Sequence, residues 1–283
     1  MVCKKILDHQ QVLSLLPDRD TMAHKGDFGR ILLLCGSRGF TGAAALAARG
    51  ALRSGAGLVF LGVPEGIYAI EAVKLDEPVV FPLPDDNGTY SLAAAESVLH
   101  RLDRMDAVLV GPGMGCSAGT LAVTETVLKN FHGPVILDAD GINVMAAHKD
   151  LLRERTAPLI LTPHAGEFAR LAGNPGKDQE AAAVALAQDL GAIVLLKGHE
   201  TVITDGQTVY VNHTGNPGMA VGGCGDVLSG IIVSLCGQGI APLEAAACGA
   251  WLHGAAGDLC AREIGQYGML PTDMLGVLPR LMK

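Results

Sequence analysis

The chain has 283 residues, of which 49% are apolar and 18% charged, a composition typical of a folded globular protein rather than a disordered one. Its net charge of −8 argues against a protein that coats nucleic acid, because such a protein needs positive charge to meet the phosphates. The seven cysteines form no C-x-x-C pair, the N-terminus contains no long apolar region of the kind found in a signal peptide, and no apolar run approaches the length of a membrane span. These features predict a cytoplasmic protein with reduced thiols and no membrane partner.

The predicted elements alternate between short strands and longer helices. Apolar runs that end at glycine, proline or a polar residue predict strands buried on both faces of a sheet, at 30–36, 57–63, 106–111, 133–140, 158–162 and 192–198. Segments rich in alanine and leucine predict helices over 42–55, 91–104 and 178–190. The alternation predicts an α/β fold with a mostly parallel central sheet and helices on both faces.

The last third of the chain departs from this alternation. Residues 201–212 contain two alternating strands around Asp205-Gly206, which predicts a hairpin and therefore a small antiparallel portion of the sheet. Helices are predicted from Asp226 onward and over 241–263. Because no linker or internal repeat appears, we expect one domain over 1–283.

A glycine-rich turn precedes the helix at Asp226. The segment GNPGMAVGGCGDVLSG, residues 215–230, contains six glycines and a single acid, Asp226. Backbone N–H groups in such a turn can approach a ligand closely, and the first turn of a helix attracts phosphate oxygens. A carboxylate repels phosphate, so its presence indicates a base that takes a proton from an attacking hydroxyl. The alternative is an ordinary helix cap, which three glycines within 222–226 make less attractive.

Other polar residues follow the predicted strands, where ligands bind in open α/β sheets. His164 and Glu167 lie three apart at a helix start, so they face either a ligand cavity or simply stabilise that helix. Asp138 and Asp140 are consistent with a Mg²⁺ site or with solvated turn acids. Lys197 is a phosphate contact or an ordinary strand-end lysine. The turn GSRGFTG, residues 36–42, lacks the spacing of a dinucleotide fingerprint.

Seven segments between about His24 and Met282 read GSRGFTGAAALAARGALRSGAGLV, VGPGMG, ILDADGIN, LTPHAGEF, LLKGHETVI, GGCGDVLSGII and GMLPTDMLGVLP. Together and in this order, they resemble the ADP/ATP-dependent NAD(P)H-hydrate dehydratases. The resemblance implies a ribokinase-like fold, in agreement with the predicted sheet. It also implies an enzyme, a hydro-lyase that phosphorylates the ring hydroxyl of hydrated NADH or NADPH from ADP or ATP with Mg²⁺. Loss of phosphate then restores the nicotinamide cofactor.

The resemblance also assigns roles by position. Asp226 is implied as the catalytic base and as a substrate contact. The other implied contacts to the hydrated dinucleotide are Ala43, Gly113 and His164. The implied adenine-nucleotide contacts are Lys197, Gly198, His199, Glu200, Thr201 and Gly225, and the implied anion hole is formed by Gly223, Cys224 and Gly225. Glu167 is implied to hold Mg²⁺ through water.

Two departures from the family pattern lead to further expectations. Cys224 stands where relatives often carry a small hydroxyl residue, and its place at a helix start predicts a reactive, accessible thiol. Many bacterial relatives carry an N-terminal epimerase domain, whereas little chain precedes the resemblance here. We therefore expect no epimerase domain and a functional pairing with a separate epimerase. Relatives are often tetramers, which implies a homotetramer.

Two other functions remain open from the sequence. A small-molecule kinase of the same fold, acting on a vitamin-like alcohol, would release a stable phosphate ester. A non-catalytic dinucleotide-binding protein would bind ligand without consuming nucleotide. Asp226 argues against the second, because a carboxylate beside phosphate does not help binding alone.

Overall fold

The apolar runs form a ten-stranded sheet in the computed structural model, which describes residues 3–283. Its strands lie in the order β1-β12-β11-β10-β9-β8-β7-β2-β3-β4, and β5 and β6 form a separate two-stranded sheet. The strands are β1 (Cys3–Lys5), β2 (Arg30–Leu34), β3 (Leu58–Pro64), β4 (Val79–Leu83), β5 (Asp85–Asp86), β6 (Thr89–Tyr90), β7 (Ala107–Val110), β8 (Val135–Leu137), β9 (Leu159–Leu161), β10 (Ile193–Leu196), β11 (Thr201–Thr204) and β12 (Thr208–Asn212).

Helices cover both faces of the large sheet, as the alternating pattern predicted. The helices are α1 (His9–Leu15), α2 (Thr41–Arg53), α3 (Glu65–Lys74), α4 (Ala94–Leu102), α5 (Ala118–Asn130), α6 (Asp140–Met145), α7 (Lys149–Arg153), α8 (Ala165–Ala172), α9 (Gln179–Leu190), α10 (Cys224–Gly237), α11 (Pro242–Glu263) and α12 (Pro271–Val277). Within residues 3–283, no helix combines the length and apolar character needed to cross a membrane.

Two hydrophobic cores, one on each face of the sheet, follow from the period of two in its strands. In β2, Ile31 and Leu33 pack into one core while Leu32 and Leu34 pack into the other, and all four are fully buried. The first core contains residues of α1, α2, α3 and α10 to α12. The second contains residues of α4 to α9. A buried parallel sheet of this kind explains why the strands read as continuous apolar runs.

The strand directions bring several loops to one edge of the sheet. Every neighbouring pair from β10 through β9, β8, β7, β2 and β3 to β4 is parallel, whereas β11 is antiparallel to both β10 and β12. The predicted parallel sheet and the predicted hairpin around Asp205-Gly206 are therefore confirmed. The loops that follow β2, β7, β8, β9 and β10 emerge at the same edge.

The sequence-based strands are longer than the observed ones, and some elements were missed. The run 133–140 becomes a strand of only three residues, because the chain turns at Asp138 and Ala139 into α6. Strand β4 was not predicted because it contains Pro82, which is tolerated here at the edge of the sheet. Strand β1 was missed because the polar sequence CKK is exposed along its length.

Helices α2 and α10 pack backbone against backbone. A Cβ atom on Gly230 would lie 2.2 Å from the Ala47 carbonyl oxygen, and one on Gly50 would lie 2.7 Å from the Val227 carbonyl oxygen. Glycine at both positions therefore permits a separation that any side chain would prevent. This close contact fixes the start of α10, and with it the glycine-rich turn, relative to α2.

The expectation of an accessible Cys224 thiol is wrong. Cys224 is only 7% exposed, its Sγ atom lies 4.0 Å from Met274 Sδ of α12, and burial raises the pKa of its thiol to about 11. The side chain at the start of α10 packs into the first core. Helix position alone does not determine this burial, so the local sequence could not reveal it.

We expect Gly230→Ala to lower the free energy of unfolding by about 1–3 kcal/mol, because the added methyl group meets rigid backbone atoms. Denaturant unfolding would measure the loss. Gly276→Ala in α12 is the matched control, since nothing lies within 4 Å of its added Cβ, and it should be neutral or stabilising by up to about 1 kcal/mol. Equal stability of Gly230→Ala and the wild-type chain would contradict the close helix contact.

Brief alkylation with iodoacetamide should label Cys3 and Cys116 before Cys224, because the first two are exposed and Cys224 is buried. Peptide mapping after short reaction times would give the order. Labelling of Cys224 as the fastest cysteine would show that the start of α10 opens in solution.

Candidate functional site

A cavity of about 780 Å³ lies at the edge where the parallel strands end. Its walls come from the ends of β8 and β10, the glycine-rich turn before α10, the segment 212–222 and helix α11. Both Asp226 and Lys197 line it. The cavity thus brings together residues that are up to about a hundred positions apart in the chain, at the edge where open α/β sheets bind ligands.

Lys197 and Asp138 form an ion pair at the base of the cavity. The distance from Lys197 Nζ to Asp138 Oδ1 is 2.9 Å, and Thr162 Oγ1 donates to the same oxygen at 2.8 Å. Asp138 is 1% exposed, so its charge requires such partners. Burial alone would lower the pKa of Lys197, but the carboxylates of Asp138, Glu167 and Asp226 raise it above its usual value. Lys197 therefore remains a cation.

Asp226 has the electrostatic properties of a base that works near neutral pH. Burial raises its pKa from 3.8 to about 7, the charge of Asp138 adds to the increase, and Lys197 opposes it. A carboxylate with this pKa is present in both protonation states near pH 7, as proton transfer requires. Asp226 also lies in the first turn of α10, so its position is that of a helix-start acid as well.

The glycine-rich turn provides backbone donors beside Asp226. Gly223 is the N-cap of α10 with a φ of 100°, a conformation that favours glycine, and a Cβ atom there would lie 2.5 Å from Leu46 Cδ1 of α2. Among residues 3–283, no backbone carbonyl accepts a hydrogen bond from the N–H of Gly225 or Asp226. These donors, at the positive end of the helix dipole, form a suitable seat for an anion.

The ion pair faces this turn directly. An ideal Cβ on Gly225 would lie 3.5 Å from Lys197 Nζ and 4.0 Å from Asp138 Oδ2. Any side chain at Gly225 would therefore occupy the space between the backbone donors and the lysine. A phosphate group bound to the N–H groups of the turn would therefore face the Lys197 ammonium group on its other side.

Backbone strain accompanies the acids after β8. Ala139 has φ 48° and ψ −115°, an unfavourable conformation for a residue with a Cβ atom, and it lines the cavity. Its neighbour Asp138 turns toward Lys197, while Asp140 turns away and accepts a hydrogen bond from Gly115 N at 2.8 Å. Ala139 thus separates Asp138, which pairs with Lys197, from Asp140, which hydrogen-bonds to the loop after β7.

His164 and Glu167 close the start of α8 as a capping box. The Nδ1 atom of His164 accepts from the N–H of Gly166 at 2.9 Å, and Glu167 Oε2 accepts from the N–H of His164 at 2.8 Å. The pair also lies close to the cavity, since His164 lines it and Glu167 Oε2 is 3.8 Å from Lys197 Nζ. The pair therefore stabilises the start of α8, and its role toward a ligand or a metal ion stays a prediction.

The remaining sequence-predicted residues divide into two groups. Gly198, His199 and Thr201 line the cavity, whereas the Glu200 carboxylate points to His213 Nδ1 at 3.3 Å. Ala43 and Gly113 lie outside the cavity but against each other, since an ideal Cβ on Gly113 would be 2.8 Å from Ala43 Cβ. Gly113 lies in the loop after β7, and Ala43 lies on α2, one helical turn before Leu46, which contacts the glycine-rich turn.

Sequence reasoning missed the contribution of α11 and of two asparagines, Asn212 and Asn216. His253 of α11 lines the cavity with its Nε2 atom buried and without a hydrogen-bond partner, and burial lowers its pKa to about 4. Asn212, at the end of β12, and Asn216, in the segment that follows, also line the cavity. A lone histidine in a helix rich in alanine and glycine was the available signal, but nothing local indicates which face of the helix meets a cavity.

Comparison with known proteins agrees with this architecture. The family model described as NAD(P)H-hydrate dehydratase matches residues 31–280. The bifunctional NAD(P)H-hydrate repair enzyme Nnr of Moorella thermoacetica is 44% identical over 99% of this chain, and this chain spans about half (54%) of that relative.

Solved structures resemble the chain along nearly its whole length. The ADP/ATP-dependent NAD(P)H-hydrate dehydratase of Bacillus subtilis, co-crystallised with ATP and Mg²⁺, is 32% identical with a TM-score of 0.83, covering 97% of this chain and 96% of that one. A ribokinase-like superfamily protein from Enterococcus faecalis is 28% identical with a TM-score of 0.87, covering 99% and 95%. The predicted ribokinase-like fold is confirmed, and the chain belongs to the NAD(P)H-hydrate dehydratase family.

Proposed function

We propose that this protein restores hydrated NADH or NADPH by dehydration, with ADP or ATP as phosphoryl donor. The observation that carries the proposal is the position of Asp226, a carboxylate with a pKa of about 7 beside unpaired backbone donors and Lys197. A base with this pKa accepts a proton readily near neutral pH, and the donors hold the phosphate that the resulting oxygen attacks. The family and the relatives support the substrate.

The residues of the site suit the phosphoryl transfer in this reaction. Deprotonated Asp226 accepts the proton of the ring hydroxyl while the hydroxyl oxygen forms a bond to the terminal phosphorus of the nucleotide. The bond from that phosphorus to its bridging oxygen breaks, and AMP or ADP leaves. The N–H groups of the turn and the Lys197 ammonium stabilise the charge on the phosphoryl oxygens. Phosphate then leaves the ring with loss of a proton from the adjacent carbon, which restores the double bond.

Ligand placement follows from the two parts of the site. We assign the adenine nucleotide to the cavity, where Lys197, Gly198, His199 and Thr201 line one wall and Gly225 lies at the turn. Glu200 belongs to the same segment, and we assign its contact with the nucleotide to its backbone, because its carboxylate faces His213. We assign the hydrated nicotinamide to the side of Ala43 and Gly113, with His164 and Asp226 between the two ligands. This division places the hydroxyl beside Asp226 and the phosphates on the anion hole of Gly223, Cys224 and Gly225.

Magnesium fits this site as an ion held largely by nucleotide and water. Within residues 3–283, no three histidine, cysteine, aspartate or glutamate side chains are gathered to hold a metal directly. Magnesium usually keeps several waters and binds one or two carboxylates together with substrate phosphates. Asp138 Oδ2 faces the turn, and Glu167 is proposed to act through water. Bound Mg²⁺ would neutralise part of the phosphate charge.

Location and assembly belong to the same proposal. We infer that the protein acts in the cytoplasm as a homotetramer and works with an epimerase that interconverts the two hydrate forms. The bifunctional relatives, in which a chain like this one is about half of the protein, support the link to a second repair activity. The kinase alternative is not favoured, because the family model and the dehydratase relative both match nearly the whole chain.

The decisive assay incubates the protein with hydrated NADH or NADPH, Mg²⁺ and either ADP or ATP, and follows the return of dihydronicotinamide absorbance. We expect absorbance to return with at least one donor, with one nucleotide consumed for each cofactor restored. A stable phosphate ester without absorbance would support the kinase, and ligand binding without nucleotide consumption would support a binding protein.

In the same assay, Asp226→Asn should lower turnover by about 10²–10⁴-fold, because the amide cannot accept the proton. Nucleotide binding should largely persist, since the turn and Lys197 are unchanged. Asp103→Asn, at an exposed position, is the control for removal of a carboxylate and should match the wild type. A decrease of less than tenfold for Asp226→Asn would leave Asp226 as a helix cap only.

The pH dependence of kcat/KM should follow the protonation of Asp226 in the free enzyme. Below a pH of about 7 the carboxyl group is mostly protonated and cannot act as a base, so kcat/KM should rise from pH 5.5 to pH 8 with an apparent pKa near 7. Rates at saturating and limiting substrate across this range would give the profile. A constant kcat/KM would contradict the role of Asp226.

A further inference from the structure

The segment that follows β12 and leads to Gly222 and Gly223 forms one wall of the cavity. Residues 213–219, here called the wall loop, include Thr214, Gly215, Asn216, Pro217 and Met219, all of which line the cavity. Regular structure within it is limited to a short 3₁₀ turn over Pro217–Met219. Its position must therefore come from contacts with neighbouring elements.

Helix α11 supplies those contacts, and Asp258 is central to them. Asp258 Oδ2 accepts from the N–H of Gly215 at 2.9 Å, and Asp258 Oδ1 accepts from Asn216 Nδ2 at 3.0 Å. Asn216 Oδ1 in turn accepts from the N–H of Gly218 at 3.0 Å. Among residues 3–283, Asp258 is the only α11 residue whose side chain hydrogen-bonds to the wall loop.

The wall loop and helix α11 also contact each other closely at other positions. Thr214 Oγ1 donates to the Trp251 carbonyl at 3.1 Å. A Cβ atom on Gly254 would lie 2.2 Å from Thr214 Oγ1, and one on Gly257 would lie 2.3 Å from Met219 Sδ. The loop thus lies directly on the α11 backbone, and Asp258, one turn beyond Gly254, holds it at its centre.

We propose that Asp258 is a positioning residue that sets the affinity for the adenine nucleotide by fixing the wall loop. Asp258 does not line the cavity itself, so it acts through Gly215 and Asn216. A carboxylate suits this role because both of its oxygens accept and both neighbouring groups are donors. The inference rests on the proposed function, which assigns the nucleotide to this cavity.

The first test measures AMP binding by calorimetry and the kinetics of the donor nucleotide for Asp258→Asn. The amide presents a donor where the carboxylate had an acceptor, so one of the two hydrogen bonds is lost. We expect the Kd of AMP and the KM of the donor to rise about 5- to 20-fold, with kcat within about twofold of wild type. Glu263→Gln, which removes an exposed acid of the same helix, is the matched control and should leave both constants unchanged.

A merely structural role predicts another result, a lower melting temperature with an unchanged Kd, and that result would overturn the proposal. Failure of the wild-type chain to bind AMP would overturn the proposed function and this inference together. Equal AMP binding by Asp258→Asn and wild type would overturn the inference alone.

The second test reverses the hydrogen-bond polarity and does not depend on nucleotide. In the double variant Asn216→Asp with Asp258→Asn, the new amide donates to the new carboxylate and still accepts from the N–H of Gly215. We expect amide hydrogen exchange across the wall loop to be faster in each single variant and to return toward the wild-type rate in the double variant. Exchange in the double variant as fast as in the singles would overturn the anchoring role of Asp258, even where Asp258→Asn is too unstable for binding assays.

Discussion

The ion pair between Lys197 and Asp138 is the interaction on which the site depends. It joins the ends of two strands, β8 and β10, with β9 between them, and Thr162 of the loop after β9 donates to the same carboxylate. An almost fully buried carboxylate without these partners would be strongly destabilising, because neither water nor another charge would compensate it. The pair also holds the ammonium group opposite the glycine-rich turn. Fold and site are therefore stabilised by the same contact.

Asp226 lies in an environment that disfavours its negative charge, and this environment raises the pKa of its carboxyl group. The charge of Asp138 that anchors Lys197 also opposes the ionisation of Asp226, so the two acids differ in environment although they share one cation. A carboxyl group whose pKa is raised by burial, as that of Asp226 is, is typical of acid–base sites. The strained backbone of Ala139, next to Asp138, is a second unfavourable feature of the site. The packed sheet and helices around Ala139 hold it in this conformation.

Much of the fold could be predicted because its strongest determinants are local. Buried parallel strands read as continuous apolar runs, and Asp205-Gly206 between alternating residues indicates a hairpin. The missed elements lack such signals: β4 contains Pro82, and β1 is a polar edge strand that pairs with β12 about two hundred residues away.

At the site, the polar residues that follow each strand could be predicted to lie together because parallel strands end at one edge of the sheet. Side-chain burial could not be predicted, which is why the Cys224 thiol was expected to be accessible and is buried. The anchoring contacts of Asp258 depend on the face of α11 that meets a distant loop, and no short-range pattern records that.

The central claim is that Asp226 is held in an environment that disfavours its charge, and the pH dependence of stability tests it most directly. A folded-state pKa raised from 3.8 to about 7 means that the charged group destabilises the folded protein above pH 7, and that this destabilisation disappears as pH falls toward 4. Asp226→Asn removes the charge at every pH, and each unit of pKa shift corresponds to about 1.4 kcal/mol. The melting temperature of the Asn variant relative to the wild type should therefore increase progressively from pH 4.5 to pH 8. A difference that stays constant over this range, or that decreases as pH rises, would contradict the account.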